Sequence, residues 1–298
     1  MKVDDFKDML KQMHANLDGC YDFTPDNVYQ PGNAANREII GKLMDSLMEP
    51  ESHIDNAQAL QKLYEKCRQG ESCLILAEHY SNFDYPVIFR LVEKTPGLGK
   101  DVAESMLPIR GMKLSESTHV TAAFSHSFDT IVIYPSRTLD AISDPEKLAE
   151  ARKVSLPINH AAIKEMIEHK HHGRIIMVFP SGTRYRSWVP DSRKGVREIH
   201  SYLKTFDNVV FIAINGNTLP PNRSEDMTKD ETVRDLMVLT CSDIISGRDY
   251  RKQKETTAPE GADPRQHVVD CVMNDLLSLH NKVEPLRLKE KAERHSNQ

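Results

Sequence analysis

The sequence predicts an α/β protein, a mixed central sheet flanked by helices and preceded by a helical subdomain. Two observations carry this expectation. From Glu71 onward, short β-branched apolar runs alternate with longer helical patterns, the pattern of a sheet wrapped by helices. Before Gly70, apolar residues return at helical spacing in Phe6, Met9, Leu10 and Met13, and again in Ile39, Leu43, Leu47 and Met48, with no convincing strand between them. The chain therefore divides into a helical subdomain over 1–70 and an α/β domain over 71–298. A length of 298 residues suffices for one large core with a smaller appendage.

Taken in order, the turn-rich stretch Tyr21-Asp-Phe-Thr-Pro-Asp-Asn-Val-Tyr-Gln-Pro-Gly-Asn separates the first helix from the next. Strands are expected at Cys73–Ala77, Ile131–Tyr134, Ile175–Phe179, Val209–Ile214 and Met237–Thr240. Helices are expected at Tyr85–Glu93, Pro145–Arg152, Asn159–His169, Ser192–Thr205 and Gln266–Lys282. Leu219–Asp230 and Gly247–Pro264 read as surface loops, and Lys289-Glu-Lys-Ala-Glu-Arg-His-Ser as a frayed helix end.

Composition narrows the function classes. Hydrophobic residues make up 39% and charged residues 28%, ordinary for a globular chain. The apolar runs at Cys73–Ala77 and Ile175–Phe179 fall far short of the roughly 20 residues that cross a bilayer. The opening Met1-Lys-Val-Asp-Asp-Phe-Lys-Asp is acidic and polar, unlike a secretory leader, so a cytoplasmic location is expected. Five cysteines, Cys20, Cys67, Cys73, Cys241 and Cys271, lack a C-x-x-C pair and read as reduced thiols, with no metal framework. The net charge of −5 argues against wholesale attraction to nucleic acid or anionic lipid and leaves room only for a local basic patch.

Two constellations carry chemistry. Glu78-His79-Tyr-Ser-Asn-Phe-Asp84 follows the strand Cys73–Ala77 and precedes an apolar helix, the place where open α/β sheets build sites. A strand-to-helix turn of this length can return the Asp84 carboxylate to the His79 imidazole, leaving the other ring nitrogen to take a proton from a bound hydroxyl. An aspartate favoured by the helix dipole in the first turn explains the same position equally simply. A hundred residues on, Arg174-Ile-Ile-Met-Val-Phe-Pro-Ser181-Gly182-Thr183-Arg184-Tyr-Arg186 ends a hydrophobic strand in a turn bearing two arginines. Backbone N–H groups around Gly182 and forked guanidinium donors can grip a phosphate. An ordinary strand-ending turn with solvated arginines accounts for them as well. The histidines of Glu168-His-Lys-His-His-Gly lie at an expected helix end, where glycine supplies the cap, so metal binding is not expected there.

His79-Tyr-Ser-Asn-Phe-Asp84 followed by Phe179-Pro-Ser-Gly-Thr-Arg184 resembles the glycerolipid acyltransferase superfamily, whose hallmarks are an H-x4-D block and an F-P-E-G-T-R block. Over roughly residues 70 to 285 the chain looks closest to the soluble, plastid-type glycerol-3-phosphate acyltransferases. The resemblance implies that His79 is the general base, Asp84 its partner, and Arg184 with Arg186, Gly182 and Thr183 the phosphate grip. It also implies an intermediate block supplying positive charge, for which Arg137 in Ile133-Tyr-Pro-Ser-Arg-Thr is the best match, although a surface arginine fits there equally. Ser181 stands where the superfamily has glutamate, and Thr183 where the plastid-type branch has glycine.

The activity implied by the resemblance is acyl transfer in phospholipid biosynthesis. The donor is acyl-CoA or acyl-carrier protein as co-substrate, with no further cofactor. The acceptor is glycerol 3-phosphate or its monoacylated form, lysophosphatidic acid, and contact with the inner face of a membrane is transient. A rival of another class is a non-catalytic phosphate- or phospholipid-binding protein on the same scaffold.

Overall fold

A computed structural model describes residues 7–16, 23–112, 124, 126–224 and 230–295. Cys20, the start of the first expected helix, part of the loop at 219–230 and Ser296 lie outside the described residues. The protein is α/β. Among the described residues nine strands form one sheet in the order β1-β5-β4-β6-β3-β7-β8-β2, with β9 pairing β7 beside the main path. They are β1 (Tyr29–Gln30), β2 (His53–Asp55), β3 (Cys73–Ala77), β4 (Met106–Gly111), β5 (Thr130–Ile133), β6 (Ile175–Val178), β7 (Asn208–Asn215), β8 (Val238–Cys241) and β9 (Ile245–Ser246). The run β5-β4-β6-β3-β7 is parallel. Strand β1 pairs antiparallel with β5, and β8 and β9 pair antiparallel with β7, whereas β2 pairs parallel with β8, which makes the sheet mixed.

Both faces are covered. Strands β3 and β7 are buried at every position, as expected of parallel strands between two helical layers. Alternation decides which layer each residue serves: Cys73, Ile75 and Ala77 join one core with the helices before and after β3, whereas Leu74 and Leu76 join the other with Ile158, Ala162 and Val269.

The segment before Gly70 contains α1 (Lys7–Ala15), α2 (Ala34–Leu47) and α3 (Ala57–Arg68), but also β1 and β2. The expectation that no strand interrupts the helices before Gly70 is thus corrected. Two- and three-residue strands are too short to show an apolar alternation, and their register is set by partners more than 100 residues away, Tyr29 against Ile131 and His53 against Val238.

The strand Met106–Gly111 was not expected. It holds Pro108 and Arg110, which read against a central strand, yet it lies between β5 and β6. Helices α4 (Asp84–Lys94), α5 (Lys100–Ser105) and α6 (Ser136–Asp140) come next in sequence, and the two helices expected over 145–169 are one, α7 (Pro145–His171), continuous through Pro157. Ser192–Thr205 is helical only as α8 over Ile199–Thr205, after a 3-10 turn at Pro190–Arg193. Arg137 takes the carbonyls of Asp191 and Lys194, and Gly195 presses on Val269 so closely that a Cβ would stand 2.3 Å from its Cγ1. Gly247–Glu255, expected as loop, is α9, capped by Ser246, whose hydroxyl accepts from the Asp249 N–H. The last helix, α10 (Pro264–His295), includes most of the segment read as frayed, and Arg294 there pairs with Glu51 and Glu290. Among the described residues no helix is long and apolar enough to cross a membrane.

Candidate active site

Strands β3 and β6 are parallel neighbours, with Leu76 opposite Val178. The segments after the two strands therefore emerge side by side at the same sheet edge, and this brings the two sequence constellations together. The Phe179 ring stacks on the His79 imidazole at 4.2 Å between centroids. The Tyr185 N–H donates to the His79 carbonyl at 2.7 Å, so the chain immediately after Arg184 is stitched to the histidine's own backbone.

His79 Nδ1 lies 2.8 Å from Asp84 Oδ2, and the aspartate side chain is only 3% exposed. The same oxygen accepts the backbone N–H groups of Tyr80 at 2.6 Å and Ser81 at 2.9 Å. Three donors on one oxygen fix the carboxylate at the start of α4. A carboxylate offers only lone pairs, so Nδ1 carries the proton in this bond and neutral His79 presents Nε2 as an acceptor. The His79 side chain is 15% exposed, and no described residue bonds to Nε2. A base with its orienting carboxylate and a free, partly open nitrogen can take a proton from a hydroxyl that reaches it.

The second constellation forms a tight turn. Gly182 adopts φ +61°, its N–H donates to the Phe179 carbonyl, and the Ser181 hydroxyl donates to the Thr183 carbonyl at 2.6 Å. Ser181 is buried in this bond, where a longer glutamate would have to point elsewhere. Arg137 spends its fork on the turn: Nε donates to the Ser181 carbonyl at 2.8 Å, and Nη2 to the Asp191 and Lys194 carbonyls. Arg184 Nη1 donates to Asp230 Oδ2 at 2.6 Å, against a carboxylate side chain 2% exposed. Arg186 reaches the Thr183 hydroxyl at 3.4 Å, while its buried Nε bonds to nothing among the described residues. The loop expected at 219–230 is buried at both ends: Leu219 packs into the core with Ile214 and Met237, and Asp230 also accepts from the Asn222 N–H and side-chain amide.

Sequence reasoning missed the groups that brace His79 from behind. Glu78 is buried. Its carboxylate accepts from the Tyr80 hydroxyl at 2.8 Å, the Ile214 N–H at 2.9 Å and His280 Nδ1 of α10 at 2.9 Å. The residues on both sides of His79 are thereby tied to β7 and α10. Tyr80 in turn meets Tyr185 edge-on at 5.8 Å, and Arg193 lies 4.1 Å over the Tyr185 ring. Burial first, then the Glu78 charge, pushes the Tyr80 phenol upward, so it remains a donor. Tyr80, His280, Glu284 and Arg287 line a pocket of about 210 Å³. A glutamate directly after a buried strand was the only sequence signal for Glu78, since its partner lies 202 residues away.

Burial pulls the His280 pKa down, but the Glu78 hydrogen bond and charge, with the Glu284 charge, outweigh it and the opposing Arg193, leaving it raised. Because the folded-state value is the higher one, the pair's contribution is complete below the unfolded value of about 6.5 and is lost as pH rises through the folded-state value. His280→Gln is therefore expected to cost more stability at about pH 6 than at about pH 8.5 by urea denaturation. An equal cost at both values would show that the charge of His280 contributes nothing.

No family model matches the chain. It is 30% identical over 157 residues to the chloroplastic glycerol-3-phosphate acyltransferase of Spinacia oleracea, covering 52% of this chain and 30% of that protein. To the chloroplastic glycerol-3-phosphate acyltransferase of Arabidopsis thaliana it is 28% identical over 137 residues, 45% of this chain and 28% of that protein. The matches span under a third of the relatives' length. They support kinship with an acyltransferase family.

Proposed function

We propose that this chain transfers a fatty acyl group from a thioester, on coenzyme A or acyl-carrier protein, to a hydroxyl of glycerol 3-phosphate, with His79 as general base. The observation that carries the reading is the His79–Asp84 pair, 2.8 Å apart, with Nε2 left open beside an arginine-bearing turn. The likeness to two glycerol-3-phosphate acyltransferases supports the same chemistry.

In this scheme the acceptor's phosphate sits against the turn Gly182–Arg186, where Thr183 and the guanidinium donors of Arg184 and Arg186 meet it, and its hydroxyl reaches Nε2. Arg137 supports the turn through the carbonyls it holds. Nε2 takes the hydroxyl proton as the oxygen attacks the thioester carbonyl. The resulting imidazolium is stabilised by Asp84, and it returns the proton to the departing thiolate as the tetrahedral adduct collapses. Fixing both groups relative to one another supplies the positioning term, because a loosely held hydroxyl would meet the base rarely. No cofactor besides the thioester is required.

The test is product analysis. Incubation with palmitoyl-CoA and glycerol 3-phosphate is expected to give a monoacylated glycerol phosphate by mass spectrometry. Binding of glycerol phosphate without product would favour a non-catalytic phosphate-binding protein, and product only from lysophosphatidic acid would move the acceptor assignment. Arg184→Ala is expected to raise the acceptor KM by about ten-fold or more, with a smaller effect on kcat, from the loss of charge-assisted bonds. An unmoved KM would remove Arg184 from the phosphate grip.

A further inference from the structure

Helix α7 lies on the flank of the sheet and returns from β5 to β6, two parallel strands, so it runs antiparallel to them. Asn159 fixes its level: its side chain accepts from the Tyr134 N–H and donates to the Tyr134 carbonyl, just past the end of β5. The helix before Asn159 therefore overhangs the sheet edge that carries His79.

Half of the exposed large apolar side chains among the described residues belong to this one helix, including Leu156 at 68%, Ile163 at 52% and Ile167 at 49% exposure. At about 100° per residue these three share one row within about 40°, and at about 1.5 Å per residue the row runs about 16 Å. Its flanks are basic. Exposed Arg152, Lys153 and Lys164 project within about 80° of the row's centre, whereas Glu150, Glu165 and Glu168 stand about 120° or more away, and Glu146, at about 80°, lies about 15 Å beyond the Leu156 end of the row. None of these three cations has an ion pair among the described residues, while Lys42, Arg90, Arg197 and Arg248 elsewhere on the surface do. The helix's inner face, Ile158, Ala162 and Met166, is already used in the core, so the row is a second apolar face that folding leaves uncovered.

We propose that this face docks the protein on an anionic lipid surface, with Leu156, Ile163 and Ile167 entering the acyl boundary and Arg152, Lys153 and Lys164 meeting headgroup phosphates. Charge decides the occupant. A second copy packed on the same face would set these unpaired cations against their own equivalents, whereas anionic headgroups neutralise them. The inference rests on the acyl-transfer reading for its purpose, since a product carrying a fatty chain and a phosphate would form at the sheet edge that the Leu156 end of the row approaches.

The test is co-sedimentation of the full chain with vesicles of phosphatidylcholine alone or mixed with phosphatidylglycerol, without substrate. Wild type is expected to bind the mixed vesicles and to release as salt rises. Leu156→Ser with Ile163→Ser is expected to weaken partitioning by about ten-fold or more. Lys153→Gln with Lys164→Gln is expected to cost about five-fold per cation on mixed vesicles only. Turnover on soluble acyl-CoA and glycerol phosphate without vesicles stays unchanged in both variants, which also certifies their folding. Equal binding by wild type and the serine variant, no binding by wild type, or a wild-type dimer by light scattering that the serine substitutions dissociate would each overturn the proposal. Vesicle binding without acyl transfer would instead contradict the catalytic reading alone.

Discussion

Replacing His79 by alanine is expected to lower kcat for acyl transfer by about 10²–10⁴-fold, the usual contribution of a positioned general base. At about 1.36 kcal/mol per decade this corresponds to about 3–5 kcal/mol of lost transition-state stabilisation. The acceptor's affinity is expected to persist, because the arginine-bearing turn is held by bonds that do not involve the imidazole: Arg137 to Ser181, Gly182 to Phe179 and Tyr185 to the main-chain carbonyl of residue 79. Measuring glycerol 3-phosphate binding by calorimetry beside kcat separates the two effects. A variant that lost binding and turnover together would mean that the ring, stacked on Phe179, holds the turn in shape rather than moving a proton.

Asp84→Asn is expected to lower kcat by about 10²-fold with little change in KM. One carboxylate oxygen serves the imidazole and the N–H groups of Tyr80 and Ser81 together. An amide oxygen there keeps the two backbone bonds but loses the negative charge that stabilises the imidazolium; an amide nitrogen there would oppose three donors at once. Bonds to a charged partner contribute about 1.5–3 kcal/mol against about 1 kcal/mol for neutral ones; the difference of about 0.5–2 kcal/mol accounts for about 2- to 30-fold of the loss, and the weakened hold on the ring's tautomer supplies the rest. Asp84→Ala is expected to fall further and to destabilise the fold, since it strands all three donors in a buried site. If Asp84→Asn retained full turnover, the carboxylate would be a helix-start residue and nothing more.

The parts of the fold legible in the sequence are those whose signal is local. Cys73–Ala77 and Ile175–Val178 are continuous apolar runs, and they deliver the two constellations to one edge because they pair as neighbours, a fact about register that no run of residues announces. The strand with Pro108 and Arg110 was illegible because both residues are atypical of a central strand. Helix α9, Gly247–Glu255, was illegible because it is polar on nearly every side. The same boundary runs through the site. His79, Asp84 and the turn from Phe179 to Arg186 form spaced patterns along the chain, so they could be read. Glu78 with His280, and Arg184 with Asp230, depend on how distant segments dock.

In the proposed reaction His79 moves the acceptor's proton to the leaving thiol. The decisive measurement of that role is the rate of thiol release from palmitoyl-CoA, with and without glycerol 3-phosphate, for wild type and His79→Ala. Glycerol 3-phosphate is expected to accelerate release by the wild type by about 10²-fold or more and to leave the variant near its acceptor-free rate. Release by wild type at the same rate without acceptor, or acceptor-stimulated release by His79→Ala close to the wild-type rate, would contradict it.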